Sequence, residues 1–446
     1  MASKRTLNAR NLEALGASAL AELLMEVSSG NAVIQRRLRL ALAAAEGVES
    51  ALQEVRKRIT AIARATTFVD SRKRKALLAD LEAQHQAITG PIAEADPHQA
   101  FRLLVGFLEL ADGVLERSSD TTGSVIGVFK QAQGDLAELA TAAAIKPEAL
   151  AGQMAELIAG NGYGQFDDLI PSVAPALGEQ GLTVLQHHFK EQGGPDASYA
   201  LLQIAEAQGD VDAYVAQFDS KQLSRPAVAA DVALHLLEAG RAEQALGVLD
   251  GAAANVIDWL ATEWSDARIA VLDALARHEE AQQQRWELFC HSLSIPHLRA
   301  YLNRLDDFDD VVAEERAFQF ADQHPQPLLA LDFLIHWPAL ARAGRYVLNN
   351  ASHWDGEAFD VLSPAADRLS SSHPLAATIL LRSMVVFALS GSRTRRYRYA
   401  ADHLLTCERL AAQIDDWQGL ESQSSFIGRI RERFGRNMSF WQLLER

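Results

Sequence analysis

Cysteine is almost absent. Cys290 and Cys407 are the only two in 446 residues, and they lie far apart in the chain. Two lone thiols make neither a disulfide framework nor a metal-binding set, and such usage fits a reducing compartment. Long hydrophobic runs are missing too. No stretch of about 18 uninterrupted apolar residues occurs, so no membrane span is expected. The opening MASKRTLNARNLEAL has basic residues but no apolar block and no small-residue cleavage site. It does not read as a secretory signal, and a cytoplasmic location is the expectation. Strand patterning is also lacking, for no run alternates apolar and polar residues with β-branched enrichment.

What remains is an ordinary folded composition, 48% apolar and 22% charged, in a chain too long for one core. Such a length predicts about three domains, or one stacked repeat array. The net charge of −16 is uneven. Up to Lys75 the fourteen basic residues, beginning with Lys4 and Arg5, outnumber seven acids, a balance of +7 that leaves −23 for the rest. A basic start on an acidic body suits an acidic partner, or neutralisation by the protein's own surface.

Helical periodicity dominates. Leu12, Leu15, Leu20, Leu23, Leu24 and Val27 recur at helical spacing, and Ser29-Gly30 ends that element. Val33, Ile34, Leu38 and Leu42 begin a second helix. Further helices are expected over Val48–Ala65, Ala76–Ile88, around Phe101–Leu110, and over Val125–Ala143. Pro91 and Pro97 bracket one break, and the turn SSDTTGS at Ser118–Ser124 makes another.

From about Lys146 the helices shorten and glycines punctuate them. The stretches LLQIAEAQGDVDAYVAQF from Leu201, ALHLLEAGRAEQALGVL from Ala233 and VLDALARHEEAQQQRWELF from Val271 can be overlaid, with breaks near Gly209, Gly240 and His278. A looser copy, VVFALSGSRTRRYRYAADHLL, turns at Gly391. This is the range of tetratricopeptide-like helix-turn-helix repeats, which bury their stripes only by stacking into a solenoid with a concave face. The expected fold is all-α: an N-terminal helical bundle over 1–145, then a tetratricopeptide-like α-solenoid over 146–446.

Certain runs resemble a known family. ALAELLMEVSSGNAVIQRRLRLALAA, FVDSRKRKALLADLEAQ and the SSDTTGS turn resemble the helical region downstream of the finger in SWIM-type zinc-finger proteins. RRYRYAADHLLTCERLAAQIDDWQGLESQSSFIGRIRERFGRNMSFWQLLE resembles its C-terminal helices. The chain also resembles a bacterial family carrying a domain of unknown function and no finger. The finger's Cys-x-Cys and Cys-x-His pairs are absent, for Cys290 precedes His291 directly and Cys407 precedes Glu408. The resemblance therefore implies the helical body alone.

Chemistry is hard to find. His187-His188 and Cys290-His291 are adjacent, which points their side chains about 100° apart on a helix and unsuits them to one ion. His324, His336, His353 and His373 are scattered, and no HExxH occurs. GNGYGQF at Gly160–Phe166 could form an anion-binding nest, but it lacks the Walker lysine and reads as a turn. There is no GxSxG. Asp306, Asp307, Asp309, Asp310, Asp415 and Asp416 read as solvated surface or helix starts. No catalytic residue, cofactor or metal is assigned. Seven tryptophans, Trp259, Trp264, Trp286, Trp337, Trp354, Trp417 and Trp441, divide between core packing and binding anchors.

The basic clusters are the functional lead. Arg56, Lys57 and Arg58 with Arg64 form one, and Arg72, Lys73, Arg74 and Lys75 a second. Arg393, Arg395, Arg396 and Arg398, interleaved with Tyr397 and Tyr399, form a third that could grip phosphates and stack bases. Arg429, Arg431, Arg433 and Arg436 follow. In the bland alternative, one of the two tyrosines packs inside the repeat and the other covers its rim. The expected function is a non-catalytic scaffold or adaptor for a protein partner. The alternative is a nucleic-acid-associated protein using the arginine and lysine clusters, opposed by the acidic body.

Overall fold

A computed structural model describes residues 7–255 and 262–444. Lys4, Arg5 and Trp259 lie outside the described residues. The chain is all-α. Among the described residues, the only β feature is an isolated bridge between Val69 and Ser118.

Two compact units divide the chain, Met1–Asp219 and Ser220–Arg446. The sequence placed a boundary at residue 145 instead. The division falls later because one apolar core runs without interruption from Ala51 to Ile204. Helices that follow residue 146 pack on those before it.

The first unit contains α1 (Ala17–Ser28), α2 (Ala32–Glu46), α3 (Val48–Ala63), α4 (Ser71–Ala87), α5 (Pro97–Leu108), α6 (Ser124–Gly134), α7 (Leu136–Ala142), α8 (Pro147–Ala159), α9 (Leu169–Gln192) and α10 (Pro195–Gln208). Local chemistry starts them. Asn31 accepts the Val33 and Ile34 amides, and Asp70 those of Arg72 and Lys73 at 3.0 Å. Such caps satisfy amides that have no partner inside the helix. Pro97, Pro147 and Pro195 stand in the first turn, where a missing N–H costs nothing.

The helix expected over Val125–Ala143 is two helices. They part at Gly134-Asp135, where Asp135 is drawn 2.6 Å from the buried ring of His85 on α4. The helix expected through Leu12 and Val27 is also interrupted, by Gly16 at φ +83°. Phe101, Phe107 and Phe129 are fully buried in the core. By contrast, α1 buries only Ser28.

The second unit contains α11 (Pro226–Glu238), α12 (Ala242–Ala252), α13 (Thr262–Ala274), α14 (His278–Ser292), α15 (Ile295–Leu302), α16 (Asp309–Asp322), α17 (Pro327–His336), α18 (Leu340–Asn349), α19 (Phe359–Leu369), α20 (Pro374–Ser390), α21 (Tyr397–Ala411), α22 (Gln423–Phe434) and α23 (Met438–Leu444). Successive helices pack as neighbours: α11 on α12 and α13, α13 on α14, α19 on α20, and α20 on α21. One buried cluster runs from Phe289 to Leu410, and another joins Val385, Tyr397, Phe426 and Phe440.

One closure recurs at the helix ends. After α10 the Asp210 amide donates to the Ala205 carbonyl at 2.9 Å, and after α11 Arg241 donates to Leu236 at 2.8 Å. After α13 Arg277 donates to Leu272 at 2.9 Å, and after α20 Arg393 donates to Ala388 at 3.0 Å. In each the preceding residue is left-handed: Gly209 at φ +64°, Gly240 at +73°, Ala276 at +56° and Ser392 at +49°. This Schellman closure satisfies carbonyls left open at the helix end and reverses the chain. Glycine takes that conformation without penalty, whereas an L-residue gives up about 1–2 kcal/mol there.

Ala276 is exposed, so Ala276→Gly relieves that strain without opening a cavity. Glycine's greater freedom when unfolded offsets about 0.4–1 kcal/mol of the gain. The expected net effect is a stabilisation of about 0.5–1 kcal/mol, read as a rise in the denaturant midpoint. An unchanged or lowered midpoint refutes it.

Candidate functional site

The N-terminal clusters divide into tied and free cations. Arg58 pairs with Asp80, a buried carboxylate on α4, through Nε at 2.9 Å, and Arg36 stands 3.4 Å from the same group. Asp80 thus ties α2, α3 and α4 together, and two of the basic residues share one internal carboxylate. Arg56 donates to the Gln99 side chain at 2.5 Å, and Lys57 lies 3.6 Å from Glu54. Arg74 holds the SSDTTGS turn, donating to the Ser119 carbonyl at 3.1 Å and the Thr121 hydroxyl at 3.3 Å. Arg72 and Lys73 remain exposed in the first turn of α4. Cations there oppose the helix dipole, so Arg72 and Lys73 add to a positive end at a local cost.

The third cluster lies on the connection between α20 and α21. Its members do different things. Tyr397 is 3% exposed and meets Phe440 edge-on at 5.8 Å. It is a core residue, and its place among the candidate contacts is corrected by that burial. Tyr399 is exposed at the rim. The guanidinium of Arg393 folds back over the Phe387 ring at 3.7 Å and donates to the Phe387 carbonyl at 2.9 Å. It closes the end of α20 by supplying a cation and a donor to its last carbonyls. Arg395 and Arg398 are exposed. Arg396 is half-buried, with its guanidinium 4.3 Å from the Phe359 ring and 5.5 Å from the Phe387 ring. Among the described residues, no carboxylate lies within ion-pair distance of Arg393, Arg395, Arg396 or Arg398.

Beside Arg396 opens a cavity of about 380 Å³, lined by Phe359, Ser363, Met384, Ala388, Tyr399 and His403, with Gly356 at its edge. Three helices and one loop supply these residues. Gly356 brings the loop directly onto the backbone of α20, where any Cβ would collide with the Ser383 carbonyl. Burial holds the His403 imidazole below its ordinary pKa, against the pull of Asp367 and Asp402, which favours the neutral ring. On the other side of Gly356 a second cavity, about 440 Å³, includes Trp354, Arg382, Glu421 and Arg429. There the cations are taken. Arg382 donates to Gln423 at 2.8 Å and to the Glu421 carbonyl at 2.7 Å, and Arg429 grips the Glu421 carboxylate at 2.8 Å. Arg431 and Arg433 lie over Trp441 and Phe434.

The loop Gly160–Phe166 is a turn closed on itself. Asn161 accepts the Phe166 amide at 2.7 Å, Gln165 accepts the Tyr163 amide at 3.0 Å, and Gln165 donates to the Gly160 carbonyl at 2.6 Å. Two amides that could have cradled an anion are occupied. Asp167 accepts from Asn161 at 2.8 Å, and burial, with the Asp167 charge second to it, raises the Tyr199 pKa.

Asp309 and Asp310 open α16, as their helix-start reading requires, and Asp306, Asp307, Asp415 and Asp416 are exposed. Each described tryptophan is buried or half-buried. Trp264 and Trp354 donate to the Leu249 and Val347 carbonyls at 3.1 Å, which is core behaviour. Among the described residues, no three His, Cys, Asp or Glu side chains gather as a metal would require. No described helix is long and apolar enough to cross a membrane.

These features define a class: an all-α protein of two helical units, with local arginine clusters and a small apolar cavity. The chain belongs to a family of unknown function, DUF6880, whose model matches residues 2–195 and again 190–443. None of the curated proteins matches it.

Two outcomes follow from this geometry. Gly356→Ala should destabilise the fold by about 1–3 kcal/mol, because the new methyl must displace backbone. An unchanged melting temperature would mean that the loop yields freely. Burial pushes the Cys407 thiol up to about 12, and it also raises that of Cys290. Unfolded cysteine ionises near about 8.5, so the stability this buried thiol contributes is whole below that pH and declines above it. Thiol titration at pH 8 should label Cys407 only after denaturation. Rapid labelling of the folded chain overturns this.

Proposed function

We propose that this chain is a non-catalytic binding protein that docks a polypeptide partner. The observation that carries the reading is the apolar stripe of α1. Leu20, Leu23, Leu24 and Val27 stand at helical spacing, with Leu23 42%, Leu24 47% and Val27 61% exposed. Met25 adds a flexible apolar side chain at 71%. Leaving such a stripe in water costs about 25 cal/mol for each Å² that a partner would cover. An amphipathic helix offered this way fits an apolar groove or a facing helix on another protein. The likeness of the hairpins to tetratricopeptide repeats, read from the sequence, points the same way.

A nucleic-acid reading draws on Arg72, Lys73, Arg395 and Arg398, all exposed. It loses the stacking contribution of Tyr397, which is buried. The net charge of −16 also opposes a long polyanion.

The double change Leu23→Glu and Leu24→Glu tests the reading in the tagged full chain, recovered from its host with and without nuclease. A stoichiometric partner should survive nuclease and vanish from the variant, while helicity is unchanged. A dimer of the chain dissolved by the same change would make the partner a second copy. Association that disappears with nuclease, or that falls steeply with salt and is lost in Arg395→Glu/Arg396→Glu, transfers the function to nucleic acid.

A further inference from the structure

We infer that the cavity beside Arg396 is a binding site for a small apolar carboxylic acid, its chain or ring lying against Met384, Ala388 and Phe359 and its carboxylate held by the Arg396 guanidinium. The inference starts from a donor without an acceptor. A guanidinium carries five N–H groups in a planar fork that matches a carboxylate. In this chain other half-buried or buried arginines use theirs: Arg58 on Asp80, Arg285 on Asp273, Arg342 on Glu315 and Asp322, and Arg382 on Gln423 and Glu421. Arg396 is half-buried and, among the described residues, none accepts a hydrogen bond from its side chain. What fixes it is the ring of Phe359 at 4.3 Å, with Phe387 at 5.5 Å. Cation–π contact orients the charge and leaves the edge of the fork open.

The second observation is the cavity itself. At about 380 Å³ it lies in the range that takes small ligands. Met384, Ala388 and Ala400 are buried carbon, and Ser363, Tyr399 and His403 contribute the polar groups. One cation on an apolar lining selects an acid with a hydrocarbon body. A phosphate-rich ligand would find too few donors, and a neutral hydrocarbon would leave the fork unfilled. Arg393, Arg395 and Arg398 lie within three residues and strengthen the positive field at the mouth, while Asp360, Asp367 and Asp402 limit it.

The probes are 4-phenylbutyrate and octanoate, with 4-phenylbutanol and octanol as uncharged counterparts, titrated calorimetrically into the full chain. Both acids should bind saturably, and each alcohol about tenfold or more weakly, as loss of a charge-assisted hydrogen bond implies. Arg396→Gln should weaken the acids by a similar factor and leave the alcohols unaffected, while Arg395→Gln, which only lowers the field at the mouth, weakens the acids far less. The Met384 methyl resonance, assigned with Met384→Leu, should shift on addition of either acid. Absence of binding at millimolar acid, equal affinity for acid and alcohol, or full affinity in Arg396→Gln with an unaltered melting temperature overturns the proposal.

Discussion

Helices mostly of seven to seventeen residues, too short to hold their shape alone in water, must bury an apolar stripe against a neighbour. Everything else in this chain depends on how that burial is arranged. Reversal of the chain after each helix is the enabling step, because a hairpin brings the next stripe alongside the last. The left-handed closure with its backward hydrogen bond performs that reversal after α10, α11, α13 and α20. It also aligns the first residue of the return segment, and at the last of these sites that residue is Arg393.

The arginine cluster takes its character from this position. Arg393 lies immediately after the closure, so its side chain falls back on α20 and is spent on the Phe387 carbonyl. Tyr397 opens α21 on the inner side and enters the core beside Phe440. Arg396, one position earlier, comes to rest against Phe359 of another helix and faces the cavity. A run of similar residues thus divides into a cap, a core anchor and an unpaired cation, according to the direction in which each leaves the backbone.

Charge is used in the same divided way in the first unit. Its surplus of cations suggested an acidic partner, yet Arg36 and Arg58 converge on the buried carboxylate of Asp80 and Arg74 secures a turn. A buried ion pair contributes little net stability but breaks expensively, so it fixes how α2, α3 and α4 cross more than it strengthens them. Arg72 and Lys73 are among the cations left on the surface, at the end of α4 whose dipole disfavours them.

The sequence by itself determined that the chain is helical and where several of its helices lie. Periodicity placed α2 and α3 closely and found α1, α4 and α5 with shifted ends, and Gly209 and Gly240 signalled reversals, since these are local effects of backbone and side chain. At the breaks the sequence placed near His278 and Gly391 the left-handed residues are Ala276 and Ser392, neither of them glycine. The boundary at residue 219 was hidden, for a core continuous from Ala51 to Ile204 is a property of packing and leaves no change in texture. Of the candidate site, the arginines were legible as a cluster. The cavity was not: Phe359, Ser363, Met384 and His403 lie on three helices and follow no spacing. Only tertiary structure could separate paired cations from free ones, since pairing depends on which carboxylate the fold brings within reach.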